Sequence, residues 1–292
     1  MIHLGLTGYP LGHSLSPKLH GAAFKSVGLE GDYELFPVSP DDPTGLPILL
    51  GRVRAGELQG LNVTIPHKQV VIPLLDELTD SARAIGAVNT VYPKDGKLFG
   101  HNTDAPGFAV DLKRSLGVDV QAGGRAVVLG TGGAARAVVY ALLAGGWDVT
   151  LAVRAADTGM AEGLIASFKG VAANGSGPER VEGQPRFVLL EAEPLRPALD
   201  GVGLLVNTTP LGMSPAVDVT PWPEGVSFPQ AAVYDVVYNP RETLFIKQAR
   251  AAGLKAETGL GMLVSQAALS FETWTGRAPS IDAMFAAVNE FH

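Results

Sequence analysis

The apolar run Ala126-Val127-Val128-Leu129 passes directly into Gly130-Thr131-Gly132-Gly133-Ala134-Ala135 and then into Arg136 and Ala137, which continue as a helix pattern. No other stretch limits the possible folds so strongly. A strand, a glycine-rich turn and a helix in that order predict a βαβ unit. The glycines permit a tight turn and a close backbone approach to an anion, and the helix N-terminus offers amide donors at the positive end of its dipole. Ala135, standing where a third glycine is common, still allows close helix-to-strand packing. From here on, strand signals at 148–153, 186–190, 203–206 and 232–236 alternate with helix signals at 134–144 and 159–168. That rhythm predicts a doubly wound, Rossmann-like nucleotide-binding domain. Residues 171–184 show no periodicity and read as a loop or a poorly ordered insertion.

The first hundred residues carry the same kind of alternation in shorter pieces. Strands are expected at 2–7, 32–38, 58–64, 88–92 and 97–99, and helices at 17–27, 45–55 and 76–85. A chain of 292 residues is longer than a single core usually supports. With the change to glycine and polar residues at 115–125, the expected division is an N-terminal α/β substrate domain over 1–104 and a nucleotide-binding domain over 105–260. Two helices, at 261–276 and 280–291, are expected to pack back on the first domain. Leu263, Ala267, Ser270 and Phe271 form one stripe on the helix that carries Gln266.

Charge and composition narrow the partners. A net charge of -7 with no Lys/Arg cluster argues against nucleic acid. The chain has no cysteine, and none of its six histidines are paired at i, i+4, so neither disulfide nor metal is expected. No apolar stretch approaches the ~20 residues of a membrane span, and the first residues, Met1 to Gly8, lack a basic region followed by a long apolar run. The expectation is a cytoplasmic monomer or homodimer acting on a small molecule.

Polar side chains gather at the strand ends of the first module, where α/β folds place ligands. In Gly60-Leu61-Asn62-Val63-Thr64-Ile65-Pro66-His67-Lys68, apolar and polar residues alternate up to a proline, and Lys68 follows in the turn or at the next helix start. Ser16 before Pro17 reads as a helix N-cap, while Ser14 has no such explanation. Asn89 ends a strand, and Asp104 is placed to cap the helix after it. Ser14, Ser16, Thr64, Lys68, Asn89 and Asp104 together suit a small polyhydroxylated anion, with Lys68 beside Asp104 able to serve a carbonyl or alcohol oxygen as proton partner. Cofactor choice falls to Arg154, which follows the strand 149–153 where an NAD-binding domain carries an acid; NADP is therefore favoured over NAD. Asp157, three residues on, is expected either to weaken a phosphate site or to cap the following helix.

The polar residues of the first module and the glycine-rich turn lie in eight ordered motifs, and with them the chain resembles the shikimate dehydrogenase family along nearly its whole length. In the first half stand Gly8-Tyr9-Pro10-Leu11-Gly12-His13-Ser14-Leu15-Ser16-Pro17, Asn62-Val63-Thr64-Ile65-Pro66-His67-Lys68, Gly86-Ala87-Val88-Asn89-Thr90 and Asn102-Thr103-Asp104. The second domain carries Gly130 to Ala135, Asn207-Thr208-Thr209-Pro210-Leu211-Gly212-Met213, Asp235-Val236-Val237-Tyr238-Asn239-Pro240 and Gly259-Leu260-Gly261-Met262-Leu263-Val264-Ser265-Gln266. The resemblance implies reversible NADPH-dependent reduction of 3-dehydroshikimate to shikimate, a step toward chorismate and the aromatic amino acids. It implies Lys68 as the catalytic acid/base with Asp104 as its partner. Ser14 and Ser16 would hold the substrate carboxylate, with Thr64, Asn89, Asp104, Tyr238 and Gln266 on the rest of the substrate. On the cofactor would stand Gly130, Thr131, Gly132, Gly133, Ala134 and Arg154, together with Val236 and Gly259 through their backbones. Two departures are visible: residues 171–184 fit the family poorly, and Arg154 stands between Val153 and Ala155 without a second basic residue beyond, so discrimination against NAD is expected to be weaker than a two-arginine clamp gives. The alternatives are a quinate/shikimate dehydrogenase using NAD, and a non-catalytic NADP-binding regulator, which has no need of a Lys68–Asp104 proton donor.

Overall fold

The computed structural model describes residues 1–168 and 185–289; the insertion expected at 171–184 and the end of the last expected helix lie outside the described residues. The chain divides into two compact units, one formed by Met1–Gly107 with Val264–His292 and the other by Phe108–Leu263.

In the first unit the order is β1 (Ile2–Gly8), α1 (Ser16–Val27), β2 (Gly31–Pro37), α2 (Gly45–Arg54), β3 (Gly60–Val63), β4 (Glu77–Leu78), α3 (Asp80–Ile85), β5 (Thr90–Lys94), β6 (Lys97–His101) and the start of α4 (Asp104–Leu116). The six strands form one sheet in the order β2-β1-β3-β5-β6-β4. β1 lies parallel to β2 and β3, whereas β5 runs antiparallel to both β3 and β6. The antiparallel turnabout sets Asn62 opposite Thr90, and Thr90 opposite His101. The ends of β3, β5 and β6 are thereby collected at one place. Leu46, Leu49, Leu50 and Val53 recur at helical spacing on α2 and bury against Leu61, Val63 and Val91 of the sheet.

One helix is shorter than its pattern suggests. The expected span 76–85 begins as strand β4, and α3 starts only at Asp80. Asp76 is held to β6 by accepting the Leu98 amide at 2.7 Å and pairing with Arg54 at 2.9 Å, so the chain stays extended there. Thr79 then caps α3 by accepting from the Ala82 amide.

The second unit continues with β7 (Gly124–Leu129), α5 (Gly133–Ala144), β8 (Trp147–Val153), α6 (Thr158–Ser167), β9 (Arg186–Leu189), α7 (Ala192–Ala198), β10 (Leu204–Asn207), β11 (Ala232–Asp235), α8 (Leu244–Ala251) and β12 (Ala256–Thr258). Every neighbour in the order β12-β11-β10-β7-β8-β9 is parallel. The order reverses between β7 and β10, and the glycine-rich turn stands at the carboxyl end of β7, the position where open parallel sheets take ligands. Val127, Leu129, Leu205 and Val233 of the sheet bury against Phe245 and Ile246 of α8. Helices α7 and α8 occupy stretches where no helix is expected. Pro197 interrupts the pattern of the first, and only 8 residues carry the second. The chain closes with α9 (Leu260–Thr275) and α10 (Ile281–Asn289). No helix among the described residues is long and apolar enough to cross a membrane.

In the first unit, α1 buries Leu19, His20, Ala23 and Phe24 on one face and packs against α10, with Phe24 edge-on to Phe271 at 5.0 Å. His20 is fully buried, stacks on Tyr33 at 4.1 Å, and has no hydrogen-bond partner at either ring nitrogen among the described residues. Burial pushes its pKa from 6.5 down to about 3. Between those values the unfolded chain binds a proton that the folded chain does not. The stabilisation from the neutral ring is therefore complete above pH 6.5 and is lost as pH falls toward 3. His20→Phe, which keeps a ring against Tyr33, is expected to lose about 3 kcal/mol less stability than the parent between pH 7 and pH 4. Urea denaturation at the two pH values measures this, and identical pH dependence in both proteins contradicts it.

Candidate active site

Lys68 stands in the turn that follows β3, and three backbone and side-chain contacts hold that turn in place. The Thr64 amide donates to Thr7 at 2.9 Å, the Lys68 carbonyl accepts from the Val88 amide at 2.8 Å, and the buried His67 ring meets the Val38 carbonyl at 2.8 Å. Anchored on both sides, Lys68 projects its ammonium to Asp104 Oδ2 at 2.6 Å. The two side chains are 17% and 6% exposed, so the pair is shielded from water yet reachable at the lysine end.

Asp104 begins α4 but does not cap it. Asn102 does, its Oδ1 accepting from the amides of Asp104 and Ala105 at 3.0 and 3.2 Å. Because the cap is supplied by a neighbour, both oxygens of Asp104 are available to other partners. Oδ1 accepts from Asn89 Nδ2 at 3.0 Å, and the same nitrogen reaches Gln266 Oε1 at 3.2 Å. Lys68, Asn89, Asp104 and Gln266, from four separate stretches of the chain, thus form one hydrogen-bonded cluster.

Ser16 does not cap α1 either. It is the first residue of the helix, Leu15 holds the capping position, and no side chain caps the helix. The Ser16 amide meets Ser14 Oγ at 3.3 Å, which sets the two hydroxyl-bearing residues side by side at the head of α1. Thr64 is half-buried just past the end of β3, beyond the fully buried Val63.

Asn62, the amide of the opening motif, turns inward. It accepts from the Tyr33 hydroxyl at 2.7 Å and donates to the Asn89 carbonyl at 2.9 Å and to Ser270 Oγ at 3.1 Å. Sequence reasoning did not single out Thr90, Thr103 or Ser270, all fully buried around Asn89. For Ser270 a signal existed: a hydroxyl within the apolar stripe of α9, one turn beyond Gln266.

In the second unit the glycine-rich turn has the form an anion needs. Gly130 adopts φ +107°, a conformation L side chains rarely take, and a Cβ there would meet Thr208 Oγ1 at 2.8 Å. Gly132 occupies the N-cap of α5 without a side-chain cap, and a Cβ on it would meet nothing within 4 Å. The first-turn amides of α5 are therefore left for a ligand, and open space stands in front of them. Thr131 is buried, and Ala135, fully buried, packs the helix against the sheet. These residues fit a dinucleotide diphosphate.

Arg154 follows β8 as expected, and its side chain is 72% exposed. Its guanidinium Nε donates to Asp157 Oδ2 at 2.7 Å, so Asp157 neutralises the arginine rather than capping α6. Val236 and Gly259 come together. A Cβ on Gly259 would lie 2.5 Å from the Val236 carbonyl oxygen, which explains why only glycine fits. The loop carrying Val236 and Tyr238 is tied down by Asp235, which accepts from Thr243 Oγ1 at 2.6 Å, Asn207 Nδ2 at 2.9 Å and the Val237 amide at 3.0 Å. Burial pushes the Asp235 carboxyl up to about 6 against these three donors. Tyr238 stands in this unit just past β11, and burial raises its hydroxyl pKa. Among the described residues, no group of three or more His, Asp or Glu is placed to hold a metal ion.

Residues 6–91 match the family model described as the shikimate dehydrogenase substrate binding domain, and residues 259–288 match the shikimate 5'-dehydrogenase C-terminal domain. The chain is 40% identical to the shikimate dehydrogenase (NADP(+)) of Geobacillus kaustophilus, over 96% of this chain and 95% of that one. Among solved structures, the shikimate 5-dehydrogenase of Thermus thermophilus in complex with NADP(H) and shikimate superposes with a TM-score of 0.83 at 38% identity, covering 99% of each chain. The shikimate 5-dehydrogenase of Listeria monocytogenes, in complex with shikimate and NAD, gives a TM-score of 0.86 at 31% identity, covering 99% of this chain and 96% of that one.

The Arg154–Asp157 pair generates a prediction of its own. A 2′-phosphate placed at Arg154 would have to compete with Asp157 for the guanidinium and would meet its negative charge. Asp157→Ala is therefore expected to raise affinity for NADP about threefold to tenfold while leaving NAD affinity unchanged. Fluorescence titration with both dinucleotides measures this. Equal gains for the two would show that Asp157 acts on something other than the phosphate.

Proposed function

The chain belongs to the shikimate dehydrogenase family, and from that premise we propose that it catalyses the reversible NADPH-dependent reduction of 3-dehydroshikimate to shikimate with Lys68 as proton donor and Asp104 as its partner. The observation that carries the assignment of roles is the 2.6 Å contact between Lys68 Nζ and Asp104 Oδ2, shielded yet open at the lysine end. When bound, NADPH supplies the hydride. The residues of the chain do the rest: they place the ketone and manage its proton.

Lys68 Nζ carries three donors, and Asp104 Oδ2 occupies only one. A second is directed at the ketone oxygen, where negative charge develops during reduction, and the proton passes from Nζ to that oxygen as the alcohol forms. In the reverse direction Nζ takes the proton back. Asp104 holds the ammonium in position and, with Asn89 and Gln266, reads the ring hydroxyls of the substrate. Ser14 and Ser16 bind its carboxylate at the head of α1, with Thr64 beside them in the substrate shell. Asp104 also keeps Lys68 from swinging away, which matters because a misplacement of about 1 Å can cost ~10²-fold in rate.

In the second unit, the amides of residues 130–134 hold the diphosphate of the cofactor and Arg154 its 2′-phosphate. Val236 and Gly259 approach the dinucleotide through their backbones. Tyr238 belongs to the substrate shell.

Lys68→Ala is expected to lower kcat for shikimate oxidation by about 10² to 10⁴-fold with little change in shikimate affinity. NADPH absorbance follows the reaction, with quinate and NAD run beside shikimate and NADP. Near-normal turnover of the variant would remove Lys68 from the chemistry, and a preference for quinate with NAD would move the substrate assignment.

A further inference from the structure

Behind Asp104, on the side away from Lys68, lies a group of polar side chains with almost no contact with solvent. Asn62, Thr90, Thr103 and Ser270 are each 5% exposed or less. Hydroxyls and amides in such surroundings contribute less stability than apolar residues of the same shape, unless their hydrogen bonds are complete. Here they are complete, and the bonds run in one direction.

The accounting starts from a group that can only donate. The Thr103 backbone amide points at Asn89 Oδ1 at 2.8 Å, which settles which end of the Asn89 carboxamide is oxygen. Nδ2 then donates to Thr103 Oγ1 at 2.8 Å and to Asp104 Oδ1 at 3.0 Å. Thr90 directs its one hydroxyl proton to Asn89 Oδ1 at 2.9 Å, so its oxygen must accept, and Ser270 Oγ stands 2.7 Å away as the donor. Ser270, sharing that proton with the Gln266 carbonyl at 3.0 Å, accepts from Thr103 Oγ1 at 3.0 Å and Asn62 Nδ2 at 3.1 Å. The circuit from Asn89 to Thr103 to Ser270 to Thr90 and back to Asn89 is closed. Every hydroxyl in it gives one proton and receives at least one.

What the ring fixes is the plane of the Asn89 carboxamide. Its oxygen is held by the Thr103 amide and by Thr90, its nitrogen by Thr103 Oγ1, and the remaining N–H is thereby aimed at Asp104 Oδ1. Asp104 is left with Oδ2 for Lys68. We propose that Thr90 is a positioning residue for the Lys68–Asp104 pair, acting through the Asn89 carboxamide; the inference rests on the acid/base roles given above. Ser270 belongs to the same device from α9, so the helix that carries Gln266 also sets the orientation of the asparagine that Gln266 meets.

The test uses Thr90→Val, which keeps the shape and removes the hydroxyl, and Thr90→Ser, which keeps the hydroxyl and removes the methyl. In the full chain, Thr90→Val is expected to lower kcat for shikimate oxidation about tenfold, with the KM for NADP and the melting temperature close to the parent values. Thr90→Ser is expected to recover most of the lost rate, which a packing role for the methyl would not allow. Ser270→Ala opens the ring from α9 and serves as the second variant if Thr90→Val does not fold; a similar loss of kcat is expected. Parental kcat in whichever of these two variants folds, or Thr90→Ser as slow as Thr90→Val, overturns the inference alone. A parent chain that does not oxidise shikimate overturns the acid/base reading and this inference with it.

Discussion

An ammonium and a carboxylate 2.6 Å apart with little water around them form the interaction on which the first unit is organised. Such a pair is costly to bury, and it persists only where geometry and further hydrogen bonds compensate for lost hydration. Each supporting feature of the fold supplies part of that compensation. Hydrogen bonds to Val88 and Val38 pin the turn around Lys68, and Asn102 caps α4 so that Asp104 does not have to. The antiparallel β3–β5–β6 arrangement brings Asn89 to the second carboxylate oxygen. Without those supports a lysine of this type would be a solvated surface residue.

The second unit solves a different problem, that of offering donors to an anion without burying a fixed charge. It does so with backbone: a left-handed Gly130 seated on Thr208, an N-cap without a side chain at Gly132, and open space before the first turn of α5. The side-chain charge proposed for the 2′-phosphate is Arg154, and Asp157 already shares it. The unit therefore offers a diphosphate backbone donors, while the arginine proposed for a 2′-phosphate is already paired.

Much of this is legible in the sequence because the signals are local. The run 126–135 announces its strand, turn and helix within ten residues, and the alternation in 60–68 places Lys68 at a strand end. Local signals also mislead. Ser16-Pro17 looks like a capped helix start, yet the helix already includes Ser16, and Asp104 has the composition of a cap while Asn102 performs the task. Asp76 looks like a helix residue until its bond to the Leu98 amide is known. The joint role of Thr90, Thr103 and Ser270 is not legible at all. Ser270 lies 180 residues from Thr90, and only the packing of α9 on the sheet brings the hydroxyls together. The pairing of Arg154 with Asp157 is visible as a spacing, but the choice between ion pair and helix cap depends on the backbone around residue 157.

The claim that Lys68 and Asp104 act as one unit is tested most directly by a double-mutant cycle on kcat/KM for shikimate, with Lys68→Met, Asp104→Asn and the double variant. Groups that act together lose their effect together. The account predicts that the double variant is no slower than the slower single variant, to within about threefold. Losses that multiply across the two sites would show that lysine and aspartate contribute independently, and would contradict it.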